Sequence, residues 1–454
     1  MSLKLSHLKL WSRWRGVAKP SMNRRILGAA ATITILTFGA KLLSMVKDSA
    51  VAASFGAGDT MDAFLIAYVL PNFVVGVISG SFNAALIPTY IQVRDREGRQ
   101  AAQRLLSGTV LISSILLLGV TVALALLGPA ALPMLGRGFG PAKLQLTERL
   151  FYALLPMIAL SGLATNWGAA LNAGEHFGLV ALSPALVPVA SVAALIGLSR
   201  TWGVYALALG TVGGFALQLC MLGWALRKQG LRLWPRWHGY DKPMRVVIGQ
   251  FVPMVAAGIL MNSTTLVDQA MASMLAPGSV AALGYGNKLV NLFVGVSTAA
   301  IGTALLPYLS KMIAADDWAG LRHTLRTYSK LIVVTTVPLT AALCFLSPQI
   351  VRLLFQRGAF TAADTQVVAW VQTMYLIQIP FFTLAILFVR TISSLRASTI
   401  LTLGTIISFT ANIVLDYVLM HFMGAAGIAL STAGVYLISL CFLSFMCYRL
   451  IRDK

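Results

Sequence analysis

The residues of this chain best placed to do chemistry are lysines and aspartates set inside long apolar runs. Between Lys41 and Tyr90 two apolar segments, hinged at Phe55-Gly56-Ala57-Gly58, carry Lys41, Lys47, Asp48 and Asp62. A charge at the centre of an apolar membrane helix costs roughly 2.5–3.5 kcal/mol on insertion scales, so such residues face a wet cavity and work there. Lys41 stands near mid-span, about 15 residues into its segment at roughly 1.5 Å per residue, and shares a helix face with Ser44 and Asp48. It reads as a functional cation; a Lys–Asp pair that only fixes packing is the alternative. Lys47 lies nearer the outer interface, where snorkelling explains it equally well. Asp62 opens the second segment after Gly58-Asp59-Thr60 and reads either as a first-turn acid for its own helix or as a partner for the lysines. Lys288, in Tyr285-Gly286-Asn287-Lys288, would complete a cationic ring with Lys41. Asp268 and Asp416 are lone acids in two further spans, read as counter-ions or a coupling-ion site, or as residues at the outer interface. Together these residues point to a cationic cavity for an anionic, lipid-linked substrate.

The elements that must position them are membrane helices. The chain has 454 residues, 58% hydrophobic and 11% charged, with a mean hydropathy of +0.81, whereas soluble domains are about 25% charged. Twelve spans are expected, near 26–54, 61–90, 106–128, 150–172, 178–198, 203–226, 246–275, 280–312, 330–347, 366–389, 398–419 and 424–447. The net charge of +21 does not indicate nucleic acid, because the basic residues sit in short connections between spans. About 26 lysines and arginines fall on one side and about 6 on the other, the positive-inside pattern with both termini cytoplasmic. The strongly basic residues 1–25 are expected to form a cytoplasmic arm on anionic lipid rather than a cleavable signal. The four cysteines fall in apolar spans without metal-ligand spacing and read as small buried hydrophobes.

A repeat organises the spans. At an offset of 219 residues, Leu70, Asn72 and Val75-Gly76-Val77 meet Leu289, Asn291 and Val294-Gly295-Val296, and Ala85-Leu86 and Pro88 meet Ala304-Leu305 and Pro307. The offset spans six helices, so the halves share one orientation and are related by an axis along the membrane normal. The fold class expected is therefore all-α polytopic membrane protein, with about twelve transmembrane helices in two six-helix lobes related by a parallel repeat. Its parts are an arm at 1–25, an N-lobe at 26–226, a basic cytoplasmic linker at 227–245, a C-lobe at 246–447 and a tail at 448–454. No nucleotide loop, catalytic triad or metal-ligand set is present in the sequence. A transporter without a cofactor is expected, driven by an ion gradient, the membrane potential or the substrate gradient.

Phe55-Gly56-Ala57-Gly58, Asp62-Ala63-Phe64, Leu70-Pro71-Asn72 and Gly80-x-Phe82 with Ala85 and Pro88 resemble the MurJ/MviN family, the lipid II flippases of bacterial peptidoglycan synthesis. So do Gly302 with Leu305-Leu306-Pro307-x-Leu309-Ser310, and Leu353-Leu354-Phe355 leading into Arg357-Gly358-Ala359-Phe360-Thr361. The resemblance implies the multidrug/oligosaccharidyl-lipid/polysaccharide exporter fold, working by alternating access in the bacterial inner membrane. It implies that the family's cavity arginines fall on Lys41, Lys47 and Lys288 and its important aspartate on Asp62. Val75 and Gly76 stand where the family has a second-helix arginine, Asn287 stands where it has an acid, and twelve helices are expected where it usually has two more. The substrate implied is a polyprenyl-diphosphate-linked saccharide, lipid II first, with membrane lipids and envelope-synthesis proteins as partners. A paralogue for an exopolysaccharide unit, a cation-coupled drug antiporter of the same superfamily and a non-transporting scaffold are the alternatives.

Overall fold

The computed structural model describes residues 22–174, 177–230, 236–237 and 239–452. Most of the expected basic arm and part of the 227–245 linker lie outside the described residues. The chain forms helices α1 (Met22–Phe55), α2 (Asp59–Glu97), α3 (Arg99–Leu135), α4 (Pro141–Leu154), α5 (Pro156–Ala173), α6 (Phe177–Leu182), α7 (Leu186–Trp202) and α8 (Tyr205–Lys228). The second half forms α9 (Lys242–Ser273), α10 (Ser279–Ala314), α11 (Trp318–Phe355), α12 (Ala362–Leu376), α13 (Gln378–Ser394), α14 (Ser398–Met423) and α15 (Ala425–Arg452). Continuous helix is the response of an apolar chain to a lipid solvent, because each backbone N–H and C=O must be satisfied within the segment.

Among the described residues ten helical stretches are long and apolar enough to cross a membrane, with α4–α5, α6–α7 and α12–α13 each counting as one. The two remaining expected spans coincide with α1 and α10, of 34 and 36 residues, the helices that carry the lysines. Pro156 starts α5 where α4 ends, so the helix of this span is interrupted at a proline. Polar caps close several helices. Asp241 accepts from the Met244 N–H at 3.0 Å, and Thr361 with Asp364 forms a reciprocal capping box at the start of α12.

The repeat runs through the fold: shifting α1, α2 and α3 by the same 219 residues lands within a few residues of α9, α10 and α11. The apolar core follows these halves unevenly. One large cluster contains Val51, Phe64 and Phe151 from the first half with Tyr285, Phe355 and Leu376 from the second. Two further clusters lie toward the basic end of the bundle. One joins α2, α3, α5 and α8 to the start of α9; the other belongs to α10, α11, α13 and α15 alone. The halves therefore share a core at one end and separate toward the other, and α9, packed along α2, is the seam. Cys447 is buried as expected, whereas Cys220 and Cys441 are exposed on the helix surface, which an apolar side chain tolerates against lipid.

Candidate functional site

α1 and α10 deliver the charges to the space between the halves. Asp48 is buried and lies between two ammonium groups: Lys47 Nζ is 3.0 Å from Oδ1 and Lys288 Nζ is 3.0 Å from Oδ2. These residues line a cavity of about 160 Å³ with Tyr68, Thr211 and Tyr285. Lys47, which snorkelling would have sent outward, turns into this cavity. Lys41 stands apart from Asp48 by two helical turns, roughly 10 Å along α1. Its Nζ reaches the Asn291 carbonyl at 3.3 Å and lies beside Gly295, while Ser44 donates to the Ala40 carbonyl of its own helix. Among the described residues Lys41 has no carboxylate partner. Asn287 is half-buried one residue before Lys288.

Asp62 lies in the first turn of α2, as expected, but its carboxylate serves other helices. It is 1% exposed and accepts the Gly278 and Ala281 N–H groups, each at 2.8 Å, so it caps α10 rather than its own helix. Lys143 of α4 completes the cluster, 2.8 Å from Asp62 and 2.6 Å from Asp59, with its ammonium 3.9 Å from the Phe139 ring centroid. Sequence reasoning missed Lys143. The available signal was Pro141, since proline favours the first position of a helix and a lysine in a first turn opposes the dipole unless an acid holds it. Around this cluster the halves are pinned together. The Ala359 N–H donates to the Ala53 carbonyl at 2.8 Å, the Ser49 hydroxyl donates to the Leu354 carbonyl, and the Tyr285 hydroxyl donates to the Gly56 carbonyl at 3.3 Å. Two glycines with positive φ permit the approach: Gly278 at 88° and Gly358 at 59°, where a Cβ would collide with the Ala57 and Ala53 carbonyls.

Asp268 and Asp416 meet inside the second half. Asn412 donates to Asp268 at 3.1 Å, the Ser431 hydroxyl donates to Asp416, and the two carboxyl groups face each other. Asp416 is fully buried. Asp416 Oδ2 and Asn412 Oδ1 are buried acceptors without a donor among the described residues, so the pocket offers oxygen ligands to a proton or a small hard cation. No group of three His, Cys, Asp or Glu side chains gathers among the described residues. Arg390 of α13, also unremarked in the sequence, has a buried Nε without a hydrogen-bond partner among the described residues. It lies on the helix side that carries Thr383 and Ser394, which contact Ser297 and Ser310 of α10.

Repeated long apolar helices around a charged cavity are the architecture of a membrane transporter. A sequence model described as "Lipid II flippase MurJ" matches residues 51–452, and the chain belongs to that family. It is 28% identical over 446 residues to a probable lipid II flippase MurJ of Synechocystis, covering 94% of this chain and 82% of the relative. It is also 28% identical over 410 residues to the Thermotoga maritima protein of the same description, covering 90% and 82%. Among solved structures, a lipid II flippase MurJ in an inward closed conformation superposes with a TM-score of 0.78 at 22% identity, covering 91% of this chain and 87% of the other. An inward-facing multidrug transporter of the MATE family gives 0.75 at 11% identity, covering 93% and 98%. The family is one of transporters, not enzymes.

Proposed function

We propose that this chain flips an undecaprenyl-diphosphate-linked saccharide, lipid II in first place, from the inner to the outer leaflet of the bacterial inner membrane by alternating access. The basic end, with both termini, faces the cytoplasm. The observation that carries the reading is Asp48 shared by Lys47 and Lys288, with Lys41 held apart from any acid among the described residues. Two lysines and one aspartate leave a single net positive charge at the cavity, and Lys41 adds a second, matching the two charges of a diphosphate diester. The diphosphate competes with Asp48 for the ammonium groups, as charge-assisted bonds to phosphate are strong. The sugar crosses between the halves while the prenyl tail stays in lipid. Opening the far end requires Asp62 to release Lys143 and the α10 N–H groups. The acid pair Asp268–Asp416 binds the coupling proton or cation.

The test is binding by purified protein of lipid II and of a non-peptidoglycan polyprenyl-diphosphate glycan, comparing wild type with Lys41→Ala and Lys288→Ala. Preference for lipid II, weakened about tenfold or more in each variant as expected for one charge-assisted contact, supports the reading. A Lys41→Ala protein that binds and flips normally sinks the cavity role. Preference for the other glycan supports an exopolysaccharide carrier. One observation favours that second reading: Gly76 stands where the family's second-helix arginine would be, and a Cβ there lies 3.0 Å from Asn262 Oδ1, so α9 fills that space.

A further inference from the structure

At the basic end of the second half, far from the lysine cavity, α11 and α15 diverge over α13 and leave a cleft of about 600 Å³. Its rim is cationic. Arg322, Arg326 and Ser329 follow one another along one face of α11 at helical spacing, and Ser444, Tyr448 and Arg452 do the same along α15. Its floor is apolar: Leu325, Cys447 and Ile451 are buried, and Phe388 of α13 closes the bottom. No acid lines it. On the α11 side the nearest acid in sequence, Asp317, is occupied in capping α11 through the Gly320 N–H at 2.8 Å. Toward the membrane centre both helices keep exposed apolar side chains at helical spacing from the rim, Val333 and Val337 on α11 and Leu437 on α15.

We propose that this cleft binds the phosphate headgroup of an acidic membrane phospholipid, with an acyl chain lying along the apolar surface between α11 and α15. The chemistry recognised is a phosphodiester anion. Guanidinium groups grip phosphate through paired N–H donors and are more weakly hydrated than ammonium, which suits a site at the membrane interface. Basic pockets between helices on the cytoplasmic side hold such headgroups. Basic residues elsewhere at this end follow from the positive-inside pattern alone; here three arginines from two facing helices rim one cleft above an apolar floor. A soluble phosphate would use the rim but not the floor. The site is separate from the lysine cavity and does not depend on the substrate proposed for it.

The experiment uses the full chain, purified and delipidated, with bound lipid counted by native mass spectrometry. Phosphatidylglycerol, phosphatidylcholine and inorganic phosphate are offered to wild type, to Arg322→Gln/Arg326→Gln/Arg452→Gln and to Ser444→Trp. The last variant keeps every charge and fills the cleft. Wild type is expected to hold one phosphatidylglycerol at least tenfold more tightly than phosphatidylcholine, and both variants to lose that molecule. Thermal melting reports whether each variant is folded, and Ser444→Trp decides if the triple variant is not. Equal retention of phosphatidylglycerol by wild type and the folded variants overturns the proposal. So does equal binding of the two lipids, and so does displacement of phosphatidylglycerol by inorganic phosphate at matched concentration.

Discussion

The two halves of this chain share a backbone plan and divide the charge between them. At the repeat offset, Lys41, Lys47 and Asp48 of α1 correspond to Leu260, Leu266 and Val267 of α9, and Lys288 of α10 corresponds to Val69 of α2. Conversely, Asp268, Asn412 and Asp416 correspond to Ser49, Ala193 and Gly197. The α1–α10 side therefore holds a cationic site on the cavity between the halves, whereas α9 and α14 hold an acidic one inside the second half. Duplication explains the common helices. The difference teaches that each site is built by a few substitutions on a shared scaffold, and that a buried charge survives only where its partners came with it.

Breaking one side at a time should separate the two roles. The largest effect is expected from Asp268→Asn with Asp416→Asn: transport should lose its dependence on cation or pH completely, with substrate binding preserved. Reconstituted flipping across a cation and pH series checks this, and a retained dependence removes the acid pair from coupling. Lys288→Ala should do the reverse, weakening diphosphate binding about tenfold while leaving the ion response in place. Copying the first half's charge onto the second through Leu266→Lys should cost roughly 2.5–3.5 kcal/mol, because Val267 stands where the first half has Asp48. Thermal melting in detergent measures it, and a neutral result would show that α9 offers a wet face after all. Asp62→Asn should weaken the pinned end by about 1–3 kcal/mol, the range for bonds to a charged group. It should also speed thiol labelling of an Ala57→Cys reporter from that side. The smallest change is Gly295→Ala, which places a Cβ 2.6 Å from Lys41 Nζ. The flexible lysine end should move aside for under about 1 kcal/mol, with a modest loss of substrate binding.

Much of this arrangement was readable before the structure. The apolar runs located the helices, because lipid leaves the backbone no other option, and the matched Asn, Gly and Pro at one offset exposed the repeat. Lys41 and Lys288 stood out because their surroundings were uniformly apolar. What failed to show was pairing over distance. Lys143 looked like a loop residue, yet it joins Asp62 because it opens α4, which packs along α2. Asp268 and Asn412 are 144 residues apart, and only the packing of α9 on α14 brings them together. Asn412 could have been suspected, since it precedes Asp416 by one helical turn. The arginines around the α11–α15 cleft were indistinguishable in sequence from ordinary cytoplasmic charges.

The bond from the Ala281 N–H to Asp62 joins a residue to its own repeat mate. Mates can touch only beside the axis that relates the halves. In an assembly of two identical six-helix subunits, an aspartate at this position would face a second aspartate, and the pair would repel across the join. Covalent fusion lets one copy keep the carboxylate while the other supplies an alanine and a bare helix end. The clasp at the centre of this molecule is thus available to a single chain and closed to a symmetric dimer.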